Sequence, residues 1–139
     1  MDVRSLCIAE WNANGLPNHK LELMQFLQDN TIDVLLVSEK HFTDQTVLKI
    51  PNYSIYPCNH LDGTAQGGTA ILIRNAIQHY QVPQTHKIQA AIIQITAQLW
   101  SFNIAAMYSP PRHKIDVEDY EHFLHHLGNK FIMGGDWNA

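Results

Sequence analysis

Cysteine is nearly absent: Cys7 and Cys58 are the only two in 139 residues. They form no Cys-x-x-Cys pair, so neither a disulfide framework nor a zinc knuckle is supported. Charged side chains make up only 16% of the chain, and no apolar run approaches the ~18 residues that span a bilayer. The apolar stretch Leu6-Cys7-Ile8-Ala9 stops at Glu10 and is too short for a secretory leader. A reduced, intracellular protein with no membrane segment is expected. An excess of basic charge is lacking too, since nine Lys and Arg stand against thirteen Asp and Glu for a net charge of −4. Phosphate affinity comes mainly from Lys and Arg, so holding nucleic acid by bulk electrostatics is disfavoured. A small metal-bearing site, where the ion supplies the positive charge, fits this balance.

Internal repeats, low-complexity tracts and Ser/Gly linkers are also missing, and turn signals instead separate strand-like from helix-like runs. Leu6 to Trp11 reads as a buried strand closed by Asn12-Ala13-Asn14-Gly15. Pro17 to Asn30 reads as a helix with Pro17 in its first turn and Leu23, Phe26, Leu27 and Asn30 on one face. Residues 33–38 are almost wholly apolar, as a strand covered on both faces would be. A loop over 42–52 precedes strands at 53–58 and 69–74, the second entered through Gly67-Gly68. Ala91, Ile93, Ile95, Ala97 and Leu99 share one face of the next strand. Trp100, Phe102, Ile104 and Ala106 share one face of its neighbour, and the break near Gln98 predicts a tight hairpin. Asp116 caps a helix through Leu127, with Asp119 three residues on and Tyr120, Phe123, Leu124 and Leu127 at helical spacing. Lys130 to Met133 is the last strand, before Gly134-Gly135-Asp136-Trp137-Asn138-Ala139. Ending on the turn after a core strand suggests a chain cut in mid-fold.

Ligands of α/β sheets gather at the carboxyl ends of strands. Those ends carry Asn12 and Asn14, Glu39, Tyr108, and Asp136 with Asn138. Two carboxylates with amide side chains suit a hard cation such as Mg²⁺, which takes one or two protein carboxylates and keeps several waters. Each signal has a plainer reading. Asn-x-Asn-Gly is ordinary turn chemistry, Glu39-Lys40 a solvated ion pair, Gly134-Gly135-Asp136 a loop, and Tyr108-Ser109-Pro110-Pro111 a strand stopped by prolines. Their joint occurrence at successive strand ends is harder to set aside. His122, His125 and His126 read as surface residues, because His-Phe-Leu-His-His lacks the glutamate of a zinc-protease helix. The sequon Asn52-Tyr53-Ser54 has no leader to expose it to glycosylation, and Arg112-His113-Lys114 reads as a solvated loop able to touch a DNA backbone.

Trp11-Asn12-Ala13-Asn14-Gly15-Leu16, Ser38-Glu39, Gly67-Gly68-Thr69-Ala70-Ile71-Leu72-Ile73, Tyr108-Ser109-Pro110-Pro111 and Gly135-Asp136-Trp137-Asn138-Ala139 resemble the successive motifs of the exonuclease–endonuclease–phosphatase superfamily. Their forms are most similar to the apurinic-like endonuclease of non-LTR retrotransposons, jockey-like elements in particular. The resemblance implies an α/β fold: a DNase-like two-sheet sandwich with outer helices, of which residues 1–139 are the N-terminal portion. It implies metal-dependent phosphodiester cleavage, with Mg²⁺ (or Mn²⁺) held by Glu39 and Asn12. Asn14 joins these metal residues as an amide where some DNA-repair relatives carry an acid. Asp136 would orient and deprotonate the attacking water, Asn138 would support it, Asn12 would sit beside the scissile phosphate, and Tyr108 would contact it. The implied partners are DNA and a downstream reverse transcriptase, and the implied location is the nucleus.

The family closes its site with a Ser-Asp-His motif that occurs nowhere in these 139 residues. Three functions compete: a DNA-nicking endonuclease module, a phosphomonoesterase of the same superfamily, and a non-catalytic remnant of a mobile element. The Trp-Asn-Ala-Asn-Gly-Leu and Tyr-Ser-Pro-Pro forms favour the first. The missing half is also expected to carry the second sheet that covers Ile93, Ile95 and Leu99. A fragment with an exposed apolar face, poor solubility and little nicking activity follows from that expectation.

Overall fold

The computed structural model describes residues 5–13, 15, 19–38, 48–58, 68–83, 88–96, 101–108 and 115–136, with Gln89 and Asp136 described by backbone alone. Strand β1 (Ile8–Asn12) crosses through helix α1 (Lys20–Asp29) to β2 (Val34–Ser38), which lies parallel beside it. The β3 (Tyr53–Cys58) and β4 (Thr69–Arg74) pair is antiparallel and adds to β2, giving the sheet order β1-β2-β4-β3. The second half repeats the plan in reverse. β5 (His79–Gln81), β6 (Gln89–Thr96) and β7 (Ser101–Tyr108) are antiparallel, and β7 crosses through α2 (Val117–Leu127) to a parallel β8 (Phe131–Asp136). The second sheet is ordered β5-β6-β7-β8.

Alternation along the strands sorts the apolar side chains into three layers. Leu35, Val37, Ala70 and Leu72 face outward onto Leu23 and Leu27 of α1. Val34, Leu36, Ile71 and Ile73 face Ala91, Ile93, Ile95, Ile104 and Ala106 between the sheets. Ala90, Ile92, Ala105 and Met107 face outward onto Phe123 and Leu127 of α2. Each isoleucine so buried stabilises the fold by about 1.5–3 kcal/mol.

This overturns one expectation: both sheets are present, and Ile93 and Ile95, on β6 of the second sheet, are 0% exposed because they pack against the inner face of the first. Leu99 lies outside the described residues, as does the connection over 97–100, although the Thr96–Ser101 pair sets the register expected of a hairpin. The helix faces are also corrected. Met24, not Phe26, packs with Leu23 and Leu27, and Phe26 is 40% exposed. On α2, Leu124 is turned toward solvent while Tyr120 packs inward. The Asp116–Asp119 capping box forms as expected.

Residues 75–78 carry the chain from Arg74, at the foot of the first sheet, to His79, at the foot of the second. So short a link forces both sheets to point their carboxyl rims the same way. At that side of the sandwich His79 Nδ1–H donates to the Ile77 carbonyl (2.6 Å), and Nε2 accepts the Tyr56 phenol (2.8 Å). At the foot, Asp33 accepts the Cys7 N–H (2.8 Å) and pairs with Arg74 (3.1 Å). Arg74 lies over the Tyr53 ring, whose phenol donates to the Ile32 carbonyl.

Candidate active site

In the first sheet the terminal cross-strand pairs are Asn12–Ser38, Ser38–Thr69 and Thr69–Cys58. Two residues deeper, Leu36 and Ile71 belong to the inter-sheet core. Alternation therefore puts Ser38, Thr69 and Asn12 on the same inner face as Cys58. The terminal row of the second sheet is Gln89–Tyr108–Asp136. Ala106 lies in the inter-sheet core, so Tyr108 faces inward too. A polar mouth thus closes an apolar sandwich. Asn12 is exposed there, whereas Ser38, Thr69 and Tyr108 are buried at 1%, 0% and 8%.

Two contacts fix the strand ends. The Ala13 N–H donates to the Ser38 carbonyl (3.0 Å), which pins the turn after β1 to the end of β2. Gly135 has φ +145, and a Cβ there would stand 1.7 Å from the Met107 carbonyl oxygen, so only glycine lets β8 lie this close to β7. A Cβ at Gly134 would meet Leu36 Cδ1 at 2.8 Å and Glu10 Oε2 at 3.3 Å. The Gly-Gly pair before Asp136 is a close-approach device within a strand, not the loop that its composition suggests.

Of the residues expected from sequence, Asn12 and Tyr108 meet at this mouth, and the Asp136 backbone ends β8 in register with Tyr108. Glu39, Asn14 and Asn138 lie outside the described residues, as do the Arg112–Lys114 cluster and Pro17. His122, His125 and His126 are exposed on α2, as expected. Among the described residues no group of three His, Cys, Asp or Glu could hold a metal ion. The described polar groups at the mouth are mainly oxygens, the Asn12 amide and the hydroxyls of Ser38, Thr69 and Tyr108, with the buried Cys58 thiol beside them. That donor chemistry suits a hard cation and a phosphate more than zinc.

Sequence reasoning missed Ser38, Thr69 and Glu10. Period-two counting from Asn12 could have put Glu10 on the inner face. Ser38 and Thr69 become neighbours only through the β2–β4 register, which no local pattern reveals.

A family model described as the Endonuclease/Exonuclease/phosphatase family matches residues 9–139. The RNA-directed DNA polymerase from mobile element jockey of Drosophila melanogaster is 36% identical over 137 residues, covering 97% of this chain and 15% of that protein. The endonuclease domain of TRAS1, a telomere-specific non-LTR retrotransposon, superposes with a TM-score of 0.69 at 19% identity, over 94% of this chain and 59% of that one. An AP endonuclease from Leishmania major superposes with a TM-score of 0.72 at 15% identity, over 91% of this chain and 53% of that one. These two likenesses are of fold, the DNase I-like two-sheet sandwich. The chain spans about 15% of the length of the curated relatives it matches.

Proposed function

The chain belongs to the endonuclease/exonuclease/phosphatase family, and from that premise we propose that it is the DNA-nicking endonuclease module of a non-LTR retrotransposon protein. The observation that supports this most is the convergence of Asn12, Tyr108 and the end of β8 on one polar mouth. The 36% identical relative is itself a mobile-element polymerase. A nick that primes reverse transcription must leave a 3′-hydroxyl, so the bond broken is the one between phosphorus and O3′. In this reading residues 1–139 form the N-terminal portion of the module, the parent protein carries reverse transcriptase downstream, and the work is done on nuclear DNA.

Glu39, Asn12 and Asn14 would hold Mg²⁺, or Mn²⁺ in its place. The oxygen donors of the mouth fit such an ion, which when bound would offset charge on the phosphate. Asp136 orients the attacking water and accepts its proton as the water oxygen bonds to phosphorus and the P–O3′ bond breaks. O3′ leaves and takes a proton from solvent, and Asn138 supports the attacking water. Tyr108 donates to a phosphate oxygen. Without a Ser-Asp-His donor the 139 residues alone are expected to nick about 10²–10³-fold more slowly than the module that has one.

The test is plasmid nicking by a protein that contains this chain together with a Ser-Asp-His segment. Asp136→Asn should lower the rate by about 10²–10⁴-fold with the Mg²⁺ requirement unchanged. Glu39→Gln should raise the Mg²⁺ needed for half-maximal rate. Normal nicking by either variant contradicts its assigned role.

A further inference from the structure

A groove runs along the outer side of the first sheet, between α1 and residues 48–53. Two adjoining cavities of about 570 and 450 Å³ make it, sharing Met24, Ile50, Pro51 and Tyr53 as an apolar floor. Lys20 and Lys49 stand at one end, and Gln28, Thr31, Asn52 and Arg74 at the other. In a chain of net charge −4, three of the nine Lys and Arg therefore line one groove. Among the described residues neither Lys20 nor Lys49 has a carboxylate partner. The carboxylates nearest on α1 are engaged elsewhere, Glu22 with His19 (3.5 Å) and Asp29 with the Gln25 amide (2.7 Å).

Arg74 is held as a fork. Its Nε faces Asp33 Oδ1 (3.1 Å), and its Cζ lies 5.5 Å from the centre of the Tyr53 ring. The Cys7 N–H takes the second Asp33 oxygen (2.8 Å). The terminal guanidinium nitrogens have no acceptor among the described residues, which leaves a planar pair of donors matched to an oxyanion. Thr31 follows the α1 C-cap with φ +50, where the Ile32 N–H returns to the Leu27 carbonyl (3.2 Å). Glycine suits such a helix end, yet a threonine stands there and lines the cavity.

We propose that this groove docks an extended acidic peptide segment of a partner protein. One carboxylate meets Arg74, another meets Lys20 and Lys49, and apolar side chains between them cover Met24, Ile50 and Pro51. The ten residues of α1 are about 15 Å long, the reach of about five extended residues. A nucleic-acid strand is a poorer fit, because its charge recurs at every nucleotide while the groove keeps its cations at the two ends. The ring that could stack a base, Tyr53, is already covered by Arg74. None of these residues belongs to the polar mouth, so the proposal does not rest on the endonuclease reading.

The measurement is fluorescence anisotropy of the 139-residue chain with a labelled peptide, Glu-Leu-Pro-Leu-Glu, beside its counterpart Gln-Leu-Pro-Leu-Gln. The acidic peptide should bind about 10-fold or more tightly, and added salt should narrow the gap. Arg74→Lys keeps a charge opposite Asp33 but loses the fork, and should weaken binding about 10-fold. Lys20→Glu combined with Lys49→Glu, both at exposed positions, should weaken it about 5-fold or more with melting temperature unchanged. An unlabelled single-stranded oligonucleotide should not displace the peptide. Equal or undetectable binding of the two peptides overturns the proposal, and so does wild-type affinity in the doubly substituted lysine variant. Displacement by the oligonucleotide overturns it as well and marks the groove as one for nucleic acid.

Discussion

Gly135 shows how much a single missing side chain can decide. Its φ of +145 and the 1.7 Å approach of a would-be Cβ to the Met107 carbonyl leave an alanine no place to go. Gly135→Ala should therefore lower unfolding free energy by about 3 kcal/mol or more, measured by urea denaturation. Tyr53, at the opposite end of the sandwich, supplies a pH test. Burial, chiefly, raises its phenol above the ordinary tyrosine range, with Arg74 pulling the other way. A raised folded value means that the folded state holds the proton more tightly, so this contribution is complete below the unfolded value of about 10 and lost above it. Melting temperature should fall as pH passes 10, and Tyr53→Phe should flatten that fall. At this scale the sequence announced Asn12, Tyr108 and Asp136 by their places at strand ends. It was silent on Thr69 and Glu10, whose surroundings are built from strands far apart in the chain.

Among the elements, those with a strong period were legible. The two helices and the strands β2, β4, β6 and β7 all fall where hydrophobic spacing puts them, because each buries a face against a neighbour. β5 was not foreseen, since three residues with polar ends carry no alternation. β8 runs on through Gly134 to Asp136, past the expected end at Met133, because two glycines argue against a strand unless close contact with β7 and Glu10 is known. On α1 the flank of the Leu23–Leu27 stripe was misread: Met24 packs inward and Phe26, two residues on, is 40% exposed, since both flanks are apolar in sequence. Leu27→Ala should cost about 2–5 kcal/mol, whereas Phe26→Ala should cost under about 1 kcal/mol. Equal losses in a denaturant titration would restore the sequence-derived face.

The molecule as a whole is two sheets closed over one apolar interior, each sheet ending in a parallel pair made by a crossover helix. That closure removes the physical reason for expecting a molten fragment: the inner faces that were to be left bare cover each other. The 139 residues are therefore predicted to unfold in one cooperative transition, with calorimetric and van't Hoff enthalpies equal. Fold class was readable because the motifs fall at strand ends in a fixed order, while the presence of both sheets was not, since β5 hid the return of the chain. The proposed activity of the polar mouth is to cut DNA so that a primer is left. The most direct measurement treats supercoiled plasmid and Mg²⁺ with a protein carrying this chain plus a Ser-Asp-His segment, then adds a DNA polymerase and labelled nucleotides. An endonuclease that leaves a 3′-hydroxyl yields open circles extended from the nick; intact plasmid alongside phosphate release from small phosphomonoesters would instead mark a phosphomonoesterase.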